Sequence, residues 1–269
     1  MLGGPLIGAA LVAGIGPWAG LAADSLSFAL SALFLLPVAL SAAAKVQIPS
    51  GFVRDLAAGW SEFRSRTWVW LISTQTALFN LLVSAPVFSL GVVVAKEKLG
   101  GAGAWGTIIA ATGAGTLLGA ALAWWKRPTR PLVGVALGTA SVAPQVALLA
   151  VAAPTPLIAL AAVLSGAGIV YHISVFEAIQ QDHVPEAVYA RLRSYGLLGS
   201  FLGLPVGFAL AGPLSSALGI AGTLWLSCGF AAVSSLALLL LPSVRALTWA
   251  SGDSESELSA RRTLAPEIP

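Results

Sequence analysis

Charge is what this sequence has least of. Only 14 Lys and Arg and 11 Asp and Glu occur in 269 residues, 9% of the chain, against 57% hydrophobic residues and a mean hydropathy of +0.89. A soluble domain carries roughly 25% charged residues. No water-soluble fold of this length hides so much apolar surface, which excludes a soluble enzyme and leaves no expected nucleic-acid partner. Cysteine is nearly absent: Cys228 stands alone inside an apolar run, so there is no internal disulfide, and core packing is its expected role. Two widely separated histidines give no zinc spacing, so no metal is expected. There is no phosphate-binding Walker loop and no nucleophile–base pair; the chain does not itself hydrolyse ATP and shows no catalytic residues. Gly101-Ala-Gly103-Ala-Trp-Gly106 matches the dinucleotide fingerprint, but the stretch where its acidic residue belongs reads Ala-Leu-Ala-Trp-Trp-Lys-Arg. The glycines are expected to make a short extracellular turn, and no cofactor is expected.

Long apolar runs are what the chain does have. They lack the short alternation of an outer-membrane barrel, so the fold class is all-α integral membrane. Residues 1–43 have no basic region ahead of the apolar run and do not resemble a signal peptide. Eight spans are predicted: 2–15, 19–43, 68–95, 102–125, 132–153, 157–180, 195–218 and 220–241. The first, at about 21 Å, is short for a hydrocarbon core of about 30 Å.

The charged interval 44–67 divides two spans from six. On a helix Phe52, Leu56, Trp60 and Phe63 share a face, which predicts an amphipathic linker lying at the lipid headgroups. Alternate loops starting there hold Lys45, Arg54, Arg64, Arg66, Lys126, Arg127, Arg130, Arg191, Arg193, Arg245, Arg261 and Arg262. Lys96 and Lys98 alone lie on the other side. Basic loops stay inside, so the linker and the C-terminus are expected in the cytoplasm.

Within the six-span block, small residues recur every fourth position. Ala111, Gly115, Gly119 and Ala123 form one stripe; Gly199, Gly203, Gly207 and Ala211 form another. Each stripe lies on the middle helix of a triplet, and the triplets cross in opposite senses. That pattern predicts an inverted 3+3 repeat, common in secondary transporters. Gly4 and Gly8 begin a third stripe. Pro86 and Pro205 interrupt their spans, as in helices bent beside a cavity.

Four stretches carry a family resemblance. Gly4-Pro5-Leu-Ile-Gly8 resembles the antiporter motif, although its first glycine would precede Met1 and Ala9 replaces its last. Trp60 to Trp68 resembles a central cytoplasmic loop, and Gly119 with Lys126-Arg127-Pro-Thr-Arg130 resembles the basic loop after helix eight. Gln181-Asp-His183-Val184-Pro185-Glu186, with Arg191 and Ser194-Tyr195, is the most branch-specific. Together they resemble the C-terminal two-thirds of a major facilitator superfamily transporter, nearest the enterobactin-exporter-like or transmembrane secretion effector branch.

The resemblance implies a partial major-facilitator fold in which the eight transmembrane helices are helices five to twelve. Residues 1–43 would then be the last two helices of the N-terminal half, 44–67 the cytoplasmic linker, 68–242 a complete C-terminal six-helix half and 243–269 a disordered cytoplasmic tail. Gly4, Gly8, Gly115, Gly119, Gly199, Gly203 and Gly207 would pack along the interface between halves. Helices seven and ten would line the cavity, which makes Gln75, Asn80, Tyr171, His172 and Glu177 the transport-path candidates. Such groups can alternatively hydrogen-bond a neighbouring helix. His172 and Glu177 lie about 140° apart on a helix, which predicts that they do not share a face.

The implied function is proton-coupled efflux of a small hydrophobic or amphipathic compound, such as a drug, antibiotic or siderophore, by alternating access in a bacterial cytoplasmic membrane. The proton carrier would be Glu177, His172 or a residue of the other half. The partners would be the bilayer, the substrate and protons. The alternative is a truncated, non-transporting fragment, or a subunit that joins a separately encoded N-terminal half.

Overall fold

Backbone polar groups within hydrocarbon need partners inside the protein, and apolar runs meet that need as helices. The computed structural model describes residues 17–35, 59–61, 63–125 and 128–249, and every regular element among them is helical. The chain divides into two units, 1–55 and 56–269. In the first unit α1 (Pro17–Leu35) has 19 residues, about 28 Å. The first predicted span, linker residues 44–58 and the tail from residue 250 lie outside the described residues.

The second unit contains α2 (Thr67–Lys98), α3 (Ala102–Trp125), α4 (Pro131–Ala150) and α5 (Thr155–His183). A helical stretch from Glu186 to Leu240 follows, and a positive φ of 74° at Gly219 breaks it. An L-residue side chain resists that backbone region. The break separates α6 (186–218) from α7 (220–240), and a short α8 (Pro242–Ala246) ends the described chain. Unbroken, the stretch would be far too long for one crossing. At the α2–α3 turn Gly100 and Gly101 also have positive φ, while Gly103 and Gly106 already lie in α3. A helix precedes them where a dinucleotide site needs a strand.

Two features of α2 and α4 were not visible as spans. Asn80–Ser84 forms a π-turn in α2, with Ala85 N–H donating to Asn80 O. Pro86 explains it: the proline has no N–H for the carbonyl of Leu82, and its ring crowds that oxygen. Ser227 Oγ of α7 donates to Leu82 O instead. Ser227→Ala is therefore expected to lower stability by about 1 kcal/mol, read as an earlier melting transition in detergent. Helix α4 opens at Ser141–Val142, just before Pro144, and resumes at Ala143.

Packing follows the glycines. An added Cβ on Gly115 would strike the backbone of Val163, and one on Gly119 that of Ala167, so α3 lies directly on α5. Gly203 and Gly207 meet the backbone of Ala77 and Leu81 in the same way, which places α6 on α2. Gly138 and Gly168 bring α4 onto α5, and Ser227 and Ser234 tie α7 to α2. The second and third helices of each triplet thus pack on the first helix of the other, the exchange a two-fold between triplets requires. The stripes expected between halves are filled by partners inside this unit. Gly4 and Gly8 lie outside the described residues.

The outer surface stays apolar: Leu118, Leu122, Phe201, Leu202, Val233 and Leu240 are exposed, as lipid-facing side chains must be. At one end Arg66 Nη1 donates to His183 O (3.4 Å) and Trp249 Nε1 donates to Pro128 O (2.8 Å). Those bonds join the linker to the α5–α6 turn and the segment after α8 to the α3–α4 loop. With alternating helix directions, the basic loops gather at one end. The last turn of the linker packs inward there. Phe63 is buried against Val184 and Leu192, while Trp60 stacks on it at 5.7 Å and stays half exposed. Phe52 and Leu56, the rest of that predicted face, lie outside the described residues.

Candidate transport cavity

Helices α2, α5 and α6 line a cavity of about 310 Å³, to which α4 adds Thr139. Phe79, Ile169, Ile173, Phe176 and Leu197 make its walls apolar. Four predicted path residues, Gln75, Asn80, His172 and Glu177, line it. Tyr171 does not; its ring lies against Gly134 of α4 within the packed core around Leu132 and Val175.

Each polar group is held by a particular neighbour. Asn80, at the start of the π-turn, donates from Nδ2 to Ser200 O of α6 (3.2 Å) and accepts from Ser84 Oγ (3.2 Å). The wider turn thus points one amide at both α6 and the cavity. Gln75 is 7% exposed, and its Nε2 donates to Ser234 Oγ of α7 (3.3 Å). Its Oε1 is buried and has no hydrogen-bond partner among the described residues.

His172 is buried, with Nδ1 at 3.0 Å from both Val135 O and Thr139 Oγ1. A carbonyl only accepts, so Nδ1 carries the proton in this arrangement and Nε2 is left as an acceptor. Both bonds run to α4, and the ring also packs on Phe176 at 6.1 Å.

Nearer the basic loops Glu177 Oε1 meets Arg193 Nη2 at 2.6 Å, joining α5 to α6; both side chains are 40% exposed. Arg193 also reaches Tyr189 Oη at 3.5 Å. Arg193 had no assigned role in the sequence beyond basic-loop charge, and no signal there could reveal its partner 16 residues away across a turn. His172 and Glu177 both line the cavity although they lie about 140° apart on α5. They sit about 16 Å and about 9 Å from the His183 end.

Of the predicted loop-motif residues, Arg64 and Arg130 are exposed and Arg66 is half-buried. Lys126, Arg127 and the Arg191 side chain lie outside the described residues.

A unit whose described elements are all helical, with an apolar exterior, triplets exchanged about their first helices and an apolar-walled cavity holding a few polar groups, defines a multi-pass membrane protein of transporter architecture. The sequence model of the family described as transmembrane secretion effector matches residues 2–265. The chain belongs to that family, a branch of the major facilitator superfamily of membrane transporters. No curated protein and no solved structure matches it.

Proposed function

We propose that this protein is a secondary transporter that exports a small hydrophobic or amphipathic compound by alternating access, with protons as the driving ion. The observation that carries the reading is the cavity: apolar walls with Gln75, Asn80 and His172 placed between helices from both triplets. Transport folds place substrate sites near the midplane between repeats, and an intramembrane ionisable residue such as His172 is a functional candidate by default. In this reading the basic loops, and with them the chain's C-terminal end, face the cytoplasm of a bacterial cell. The resemblance of Gly4 to Gly8 to an antiporter motif supports export over import.

The test uses everted membrane vesicles and a fluorescent aromatic amphiphile. Acidifying the lumen should drive its accumulation, and a protonophore should collapse it. Leu197→Trp, which fills the cavity from α6, should remove accumulation while the protein remains folded. Accumulation unaffected by the protonophore would rule out proton coupling. Accumulation unaffected by Leu197→Trp would rule out this cavity as the path.

A further inference from the structure

We propose that the Glu177–Arg193 pair makes the cavity select uncharged compounds, a substrate class that rests on the transport reading above. Among the described residues these two are the only carboxylate and guanidinium that line it, and at 2.6 Å their charges offset each other. Beyond them, toward Gln75 and Asn80, the lining is apolar or neutral and polar. A ligand with net charge that moves to that end gives up water and finds no counter-charge, which is costly in a low-dielectric site. A neutral ligand with a hydroxyl or amide leaves nothing unpaired.

The pair bridges α5 and α6 and takes part in none of the glycine contacts that hold those helices. Its charge balance can therefore be changed without removing the packing. Removing one partner leaves the other facing the cavity. Glu177→Gln leaves a cation, and the site should then accept anions; Arg193→Gln leaves an anion, and the site should then accept cations.

Three ligands with one naphthalene body serve as probes: 2-naphthylmethanol, 2-naphthalenesulfonate and (2-naphthylmethyl)trimethylammonium. Binding is measured by equilibrium dialysis against the full chain in phosphatidylcholine nanodiscs, with empty discs subtracted. The pH is 8, above the usual range in which imidazole titrates. The wild type should bind the alcohol about tenfold more tightly than either ion. Glu177→Gln should raise sulfonate affinity about tenfold and leave the ammonium weak, with the reverse for Arg193→Gln. The double exchange Glu177→Arg with Arg193→Glu keeps the pair and should restore the wild-type order, which gives a readout even if a single variant misfolds. A wild type that binds an ion as well as the alcohol overturns the selectivity and leaves the cavity as a binding site. So does an order of affinities that stays unchanged in the variants, or one that the double exchange fails to restore. Binding of none of the three above empty discs overturns both this proposal and the cavity reading.

Discussion

Gly119→Leu is expected to prevent the six-helix unit from assembling, with yield from mild detergent reduced several-fold and the remainder running as aggregate on size exclusion. The reason is the kind of atom that the new side chain meets. At Gly119 even a Cβ strikes the carbonyl of Ala167, and at Gly115 that of Val163, so the obstruction is helix backbone and cannot rotate away. Over-packing a core against movable side chains costs about 1–3 kcal/mol. Here α3 must move bodily off α5, losing the close contact along the stripe. Gly207→Leu should do the same between α6 and α2, because its Cβ would meet the Leu81 backbone. Gly229→Leu is the control, since a Cβ there meets nothing within 4 Å. If Gly119→Leu is monodisperse with a wild-type melting temperature, the α3–α5 contact is not what holds the unit together.

Those glycines also mark the boundary of what the sequence can tell. Their spacing is local, so the stripes were legible; the helix each stripe faces depends on tertiary pairing and was not. The resemblance directed them to the interface between halves, whereas Gly115 and Gly203 are used inside the unit. Apolar length located the spans well. The run 102–125 coincides with α3, but α6 begins at Glu186, nine residues before the predicted start at Tyr195. Those extra residues are polar on one side, so hydropathy ends where the helix does not. Pro86 predicts a bend, but the group that satisfies the carbonyl it leaves free, Ser227, is 145 residues from Leu82 in sequence. The cavity was legible as a set of polar residues at membrane depth. The Glu177–Arg193 pair, which decides its charge, was not, because polarity in one dimension carries no partner.

The second large effect concerns His172. Among the described residues it is the one titratable side chain that lines the cavity without a charged partner at hydrogen-bond distance, and its two ring nitrogens have different surroundings. Nδ1 is fixed to α4 through Val135 O and Thr139 Oγ1. In the proposed proton-coupled cycle, Nε2 would be the atom that gains and loses a proton. A cycle that alternately exposes and buries it can couple proton movement to the exchange of states. Glu177 is instead engaged by Arg193 at 2.6 Å.

His172→Gln can retain a donor to Val135 O yet cannot carry the proton. The expected result is a folded protein that equilibrates the fluorescent substrate down its gradient but no longer accumulates it when the vesicle lumen is acidified. His172→Ala should lose accumulation and, with the bonds to α4 gone, melt earlier as well. Two assays separate the roles: downhill equilibration at matched pH, and accumulation under a pH gradient. Wild-type accumulation by His172→Gln would move the proton site elsewhere. Loss of downhill movement in the same variant would make His172 part of the substrate's binding surface.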